Sequence, residues 1–171
     1  GWWKGENNAL DSAGANNGTL AGNTTYGTGR VGQGFVFDGD HDGVQLANQT
    51  NLQLQNFTIE AWIKRASTSL VSINPGQDSV FFSYGGGGYG VGLNSAGLPL
   101  LSQIDVNSLT SSTPITDTNY HHLAVAKAGT NVVFYVDGVA YPVSPYTSVF
   151  AFATPAAVGA SGGNQRAGFL G

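Results

Sequence analysis

Phe57-Thr58-Ile59-Glu60-Ala61-Trp62-Ile63-Lys64 is the stretch that decides the fold. Its side chains alternate strictly: Phe57, Ile59, Ala61 and Ile63 fall on one face, and Thr58, Glu60, Trp62 and Lys64 on the other. A period of two belongs to a β-strand with one face against a core and the other toward solvent. β-Branched and aromatic residues fit that pleated surface. No window of about 11 residues or more shows a clean helical period, and 26 glycines interrupt most candidates. The sequence therefore predicts an all-β chain.

Working outward, Phe35-Val36-Phe37 and Val44-Gln45-Leu46 flank a turn over Asp38 to Gly43. Val80 to Tyr84 and Tyr89 to Leu93 are short apolar strands on either side of the glycine run Gly85 to Gly88. Leu98 to Val106 holds one or two more. His122 to Ala126 and Val132 to Val136 follow, and Asp137-Gly138 then turns into Val139-Ala140-Tyr141. Asp-Gly between apolar runs is a strong hairpin signal, because both residues accept positive φ. Phe150 to Phe152 and Ala156 to Val158 are weaker strands. Many short strands with glycine-rich turns and no intervening helices predict an antiparallel β-sandwich. No linker splits residues 1–171, so a single domain is expected, and no internal repeat is visible.

Composition narrows the function. A chain of 171 residues with 41% hydrophobic residues can bury a core without staples. Only 9% of residues are charged, against about 25% in an average soluble domain, so the surface is built from Asn, Ser, Thr, Gln and Gly. Net charge is −4 and the six basic residues are scattered, which argues against nucleic acid as a partner. With no cysteine there is no disulfide framework, thiolate zinc site or cysteine nucleophile. No run of apolar residues is long enough for a membrane-spanning helix.

Four segments then match a known pattern in order. GWWKGENNALDSAGANNGTLAG (1–22) carries a Trp strand, an Asp-Ser-x-Gly turn and an Asn-Gly-Thr strand. GTGRVGQGFVFDGDHDGVQL (27–46), FTIEAWIK (57–64), and YHHLAVAK (120–127) followed by VVFYVDGV (132–139) complete it. Together they resemble the laminin-G-like, concanavalin-A-like jelly-roll family of bacterial surface and secreted proteins. The resemblance implies a jelly-roll sandwich, an extracellular or cell-surface setting, and a non-catalytic recognition or adhesion role. The expected partner is a glycan, as for a lectin, or an extracellular protein. The family pattern continues past Gly168-Phe169-Leu170-Gly171 into a final strand with an Ile-Asp-Glu-like motif. Its absence predicts a domain truncated at the C-terminus and an open edge for strand pairing with another chain or a further segment. A structural subunit that self-associates through such edges is the alternative reading.

The chemistry of individual residues points the same way. Retaining glycosidases need two carboxyls about 5–5.5 Å apart, yet the only glutamates are Glu6 and Glu60, with no Glu-x-Asp-x-Glu run. Glycoside hydrolysis is therefore disfavoured. No Ser stands in a Gly-x-Ser-x-Gly context to join a histidine. His121 and His122 are neighbours on a strand and must point to opposite faces, one packed or hydrogen-bonded and one solvated. Asp38-x-Asp40-x-Asp42-Gly43 has the alternating carboxylates of a Ca²⁺ loop, but Gln49 stands where a bidentate Glu would be, and a plain Asp/Gly turn is the competing reading. By resemblance, Asp11 could also serve a structural Ca²⁺. For ligand contact the candidates are Tyr84 and Tyr89 around the glycine run, Tyr146 near the prolines, and Trp62 on the polar face of its strand. Trp2, Trp3, Phe35, Phe37, Phe57 and Phe134 are expected in the core.

Overall fold

The computed structural model describes residues 1–171 except 144, 164 and 165. Strands are numbered in chain order. The larger sheet has seven strands in the order β1 (Gly18–Ala21), β4 (Gly43–Leu46), β13 (Ala156–Val158), β6 (Ser79–Tyr84), β7 (Tyr89–Leu93), β8 (Pro99–Gln103) and β9 (Asn107–Thr110). The smaller sheet runs β12 (Val139–Pro142), β11 (Asn131–Val136), β10 (Tyr120–Ala128) and β5 (Phe57–Lys64). A separate hairpin joins β2 (Thr25–Thr28) to β3 (Gln33–Val36). Every strand pair is antiparallel. Among the described residues the sole helical piece is a 3-10 turn at Thr50–Leu52. The chain is an antiparallel β-sandwich, as its sequence predicts.

The core lies between the sheets. Phe82, Tyr84, Tyr89 and Val91 from the larger sheet share one apolar cluster with Leu123, Val125 and Phe134 from the smaller. Phe57 reaches across from β5 to Tyr89, with ring centroids 4.5 Å apart. Rings at this separation and tilt add about 0.5–1.5 kcal/mol beyond the area they bury. β5 keeps the alternation of its sequence: Phe57, Ile59, Ala61 and Ile63 point into the sandwich, while Thr58, Glu60, Trp62 and Lys64 are exposed.

The Asp137-Gly138 hairpin forms as its dipeptide predicts, with φ of 50° and 83°. Val136 pairs with Val139 across the turn, and Asp137 ties the turn to β10: its N–H donates to the His122 carbonyl (2.9 Å) and its carboxylate accepts the His122 N–H (2.9 Å). Two elements differ from expectation. Phe150 to Phe152 is no strand; Phe150 is buried because its ring packs on Phe57 and Tyr89. Trp2 is 58% exposed rather than core, held outside by the backbone bond from its N–H to the Asp11 carboxylate while Trp3 turns inward onto Phe82.

Residues 167–171 are stitched into the body. The Leu170 N–H donates to Val71, the Ala66 N–H donates to Leu170, and Gly171 and Phe37 exchange two backbone hydrogen bonds. Phe169 is buried in the core cluster. β5 has β10 on one side and no described strand on the other.

Candidate functional site

The outer face of the smaller sheet carries an open groove of about 370 Å³. Its floor is Ala124 and Ala126 of β10. Thr58 and Glu60 of β5 form one side, and Tyr135 of β11 with Gly138 forms the other. The strand register builds it: Ala126 pairs with Thr58, Ala124 with Glu60, His122 with Trp62, and Tyr120 with Lys64. Same-face rows lie about 6.7 Å apart, so four rows span about 20 Å. Two alanines between longer neighbours are what make a groove; a larger residue at either would fill it.

His122 closes one end of the groove, and Trp62 stands beside it. Their rings are 5.2 Å apart, and Trp62 is 49% exposed. The Nε2 of His122 lies 3.5 Å from a Glu60 oxygen. The Arg30 guanidinium from the β2–β3 connection sits 5.1 Å from the Trp62 ring centroid. Lys64 stands 5.5 Å from the Tyr120 ring, and the Tyr120 hydroxyl donates to the Thr28 carbonyl (2.6 Å), tying the β2–β3 hairpin to β10.

The histidine pair divides as the strand geometry requires. His121 is bonded to Asp137 (2.7 Å) and Asp117 (3.1 Å). Desolvation pulls its pKa down, but the two carboxylates together outweigh that and leave it raised. His122 faces the groove.

The three candidate tyrosines are corrected by the structure. Tyr84 is fully buried and Tyr89 is 2% exposed. Both phenols donate to backbone carbonyls, of Gln49 and Leu52 respectively. Burial pushes Tyr84 up to about 12 and raises Tyr89 further. Tyr146 is buried as well; its hydroxyl accepts the Gln103 N–H (2.8 Å) and donates to Asn107. The glycine run does not expose Tyr84 and Tyr89, because alternation on β6 and β7 turns both rings inward, toward each other and Phe152. Of the four, Trp62 alone presents its ring to solvent.

The carboxylates proposed for calcium are occupied otherwise. One Asp11 oxygen accepts the Trp2 and Ala13 N–H groups (2.8 and 3.0 Å), and the other accepts the backbone and side-chain N–H groups of Asn16 (3.2 and 2.9 Å). Its pKa falls to about 2: burial works against the charge, and these four donors override it. Asp42 is buried and accepts the N–H groups of Asn23 and Asp38, the latter at 2.8 Å. Asp38 accepts the Asp40 N–H (2.8 Å), and Asp40 pairs with His41 on the surface (2.7 Å). This is a turn braced by its own aspartates. Among the described residues, no three His, Asp or Glu side chains converge on one point.

A second depression, of about 680 Å³, lies among Asp40, His41, Asn74, Gln77, Asp78 and Arg166. Its polar groups are largely committed to neighbours. The Asn74 amide donates to Gln77 (3.2 Å), Asp78 accepts the Ser95 N–H (2.9 Å), and Asp40 holds His41. It offers no Trp, Tyr or Phe ring.

The family model described as the concanavalin A-like lectin/glucanases superfamily matches residues 38–171. Among solved structures, domain 4 of AbnA, a GH43 extracellular arabinanase from Geobacillus stearothermophilus, solved in complex with arabinotriose, is similar with a TM-score of 0.71. Identity is 19%, over 97% of this chain and 84% of that one. The carbohydrate binding module CBM66 from Bacillus subtilis has a TM-score of 0.47 at 18% identity, over 82% of this chain and 90% of that one. No curated protein matches the sequence.

Proposed function

This chain belongs to the concanavalin A-like lectin/glucanases superfamily, and from that premise we propose that it is a non-catalytic carbohydrate-binding module of an extracellular protein. The observation that carries the proposal is the groove on the outer face of the smaller sheet. It is open, floored by Ala124 and Ala126 and walled by Tyr135, with the half-exposed Trp62 ring beside His122 at its end. A sugar ring has an apolar face for an aromatic side chain and hydroxyls for polar edges. Here Trp62 and Tyr135 supply the first contact, and Glu60, Thr58 and His122 the second. An aromatic surface with a few well-placed polar groups is the usual make-up of a small-ligand site. The arabinanase domain, solved with an arabinose oligomer, lends support through its shared fold.

Hydrolysis is not part of this reading. Glu60 faces the groove with His122 as its neighbour, and no second carboxyl lines the groove to act with it. Nor does the reading call on calcium.

Affinity electrophoresis in gels containing soluble polysaccharides, arabinan included, tests the proposal. The protein should be retarded by at least one glycan, and Trp62→Ala should abolish the retardation without unfolding the chain. Retardation that survives both Trp62→Ala and Ala124→Leu would move binding off this face.

A further inference from the structure

We propose that the Trp62 end of the groove recognises the carboxylate of an acidic sugar, so that the preferred ligand is a uronic-acid-containing glycan. The inference deepens the carbohydrate-binding reading and rests on it.

It starts from where the cations are. The chain carries −4 overall with only six basic residues. Arg65 and Lys127 are buried, with their charged groups donating to carbonyls: Arg65 to Ile115 and Leu70, Lys127 to Gln55 and Gly129. Arg30 and Lys64, by contrast, are exposed and come from different elements, Arg30 against the Trp62 ring and Lys64 against the ring of Tyr120 in the adjacent row. Lys64 is the next same-face residue of β5 after Trp62, about 6.7 Å along the strand. Neither has a carboxylate partner among the described residues; every ion pair described there involves a histidine. Three acids lie around this corner without ion-pairing either cation: Glu60, on the opposite side of Trp62 along β5, faces His122; Glu6 accepts the Gln33 N–H at the base of the β2–β3 connection; and Asp137 accepts the His122 N–H. In a chain so short of positive charge, two cations without an ion pair, one of them against an exposed tryptophan, are free to meet an anionic ligand group there.

The chemistry of the two cations selects the ligand group. A guanidinium presents paired N–H donors that match the two oxygens of a planar carboxylate, and an ammonium adds a second charge without directional demand. Trp62 supplies the flat apolar surface for the sugar ring that bears the carboxylate. Hydroxyl-only sugars would use the ring but offer neither cation a counter-charge. The alanine floor leads away from this corner toward Thr58 and Ala126, giving the neighbouring sugars room.

Isothermal titration with polygalacturonate and alginate oligomers, each beside its carboxyl-reduced form, tests this. The unmodified protein should bind at least one acidic oligomer about tenfold or more tightly than its reduced counterpart, with the gap narrowing as salt is raised. Arg30→Ala should erase most of that preference, Arg30→Lys should retain part of it, and Trp62→Ala should weaken both forms together. Equal affinity for acidic and reduced oligomers, with Trp62→Ala still damaging, would overturn the acidic-ligand proposal and leave the groove as a neutral glycan site. Binding of neither form, or binding indifferent to Trp62→Ala, would count against both proposals.

Discussion

Two groups of rings in this protein have opposite fates. Phe57, Tyr84, Tyr89, Phe150 and Phe152 interlock between the sheets, with centroids 4.5–6.0 Å apart. Trp62, His122 and Tyr120 stand on the outside of the smaller sheet in two adjacent rows, with Arg30 against Trp62 and Lys64 against Tyr120. Phe57 and Trp62 belong to one strand, five residues apart. An odd number of steps along a strand changes the face, and that parity alone separates a core ring from a surface ring. The residue type says nothing about which role it takes.

The contrast breaks most visibly at Tyr89. Tyr89→Ala should cost about 3–5 kcal/mol, the range for deleting a large core ring, read as a fall in the denaturation midpoint. A loss below about 1 kcal/mol would mean that the inner cluster is not the core. Alkaline titration probes the same rings without mutation. Both phenols have folded pKa values above the ordinary 10. Their neutral forms therefore contribute stability that is fully present below about pH 10 and is lost as pH rises through the folded values. Thermal midpoints should hold to about pH 10 and then fall steeply, and Tyr84→Phe should flatten part of that fall. Tyr89→Phe keeps the ring and removes only the hydroxyl bond to Leu52, so about 1 kcal/mol is expected. On the outer row, Trp62→Ala should change stability by less than about 1 kcal/mol while abolishing retardation by glycans. If it instead destabilised as Tyr89→Ala does, the two groups would not be separate. Adding calcium or a chelator should shift the midpoint least of all, because N–H groups fill the acceptor positions of Asp11.

Much of this fold is legible in the order of residues alone. The alternation over Phe57–Lys64 assigns both faces of β5 correctly, and Asp137-Gly138 places a turn with two positive φ angles. Trp62 is legible as an outward residue for the same reason. Depth is what the sequence does not disclose. Tyr84 and Tyr89 flank four glycines, which suggests a mobile exposed loop, but strand parity beyond those glycines turns both rings inward. Nor does it show that Ala124 and Ala126 form a floor, since alanine in a strand looks the same whether it is packed beneath a neighbour or left open between two walls. The Arg30–Trp62 approach is equally hidden. It depends on a hairpin folding back across about thirty residues of sequence, and no local pattern encodes that.

The way β10, β11 and β12 are joined has a kinetic consequence. Two short turns, after Ala128 and after Val136, make these strands a local meander, whose contacts close small loops and form early. β5 must be recruited to β10 across residues 65–119, a far longer closure. Floor and far wall therefore come from the fast-forming part, while Trp62, Glu60 and Thr58 arrive with the slow strand. During refolding, glycan binding should lag behind the first appearance of sheet, so that ligand capture serves as a clock for the docking of β5.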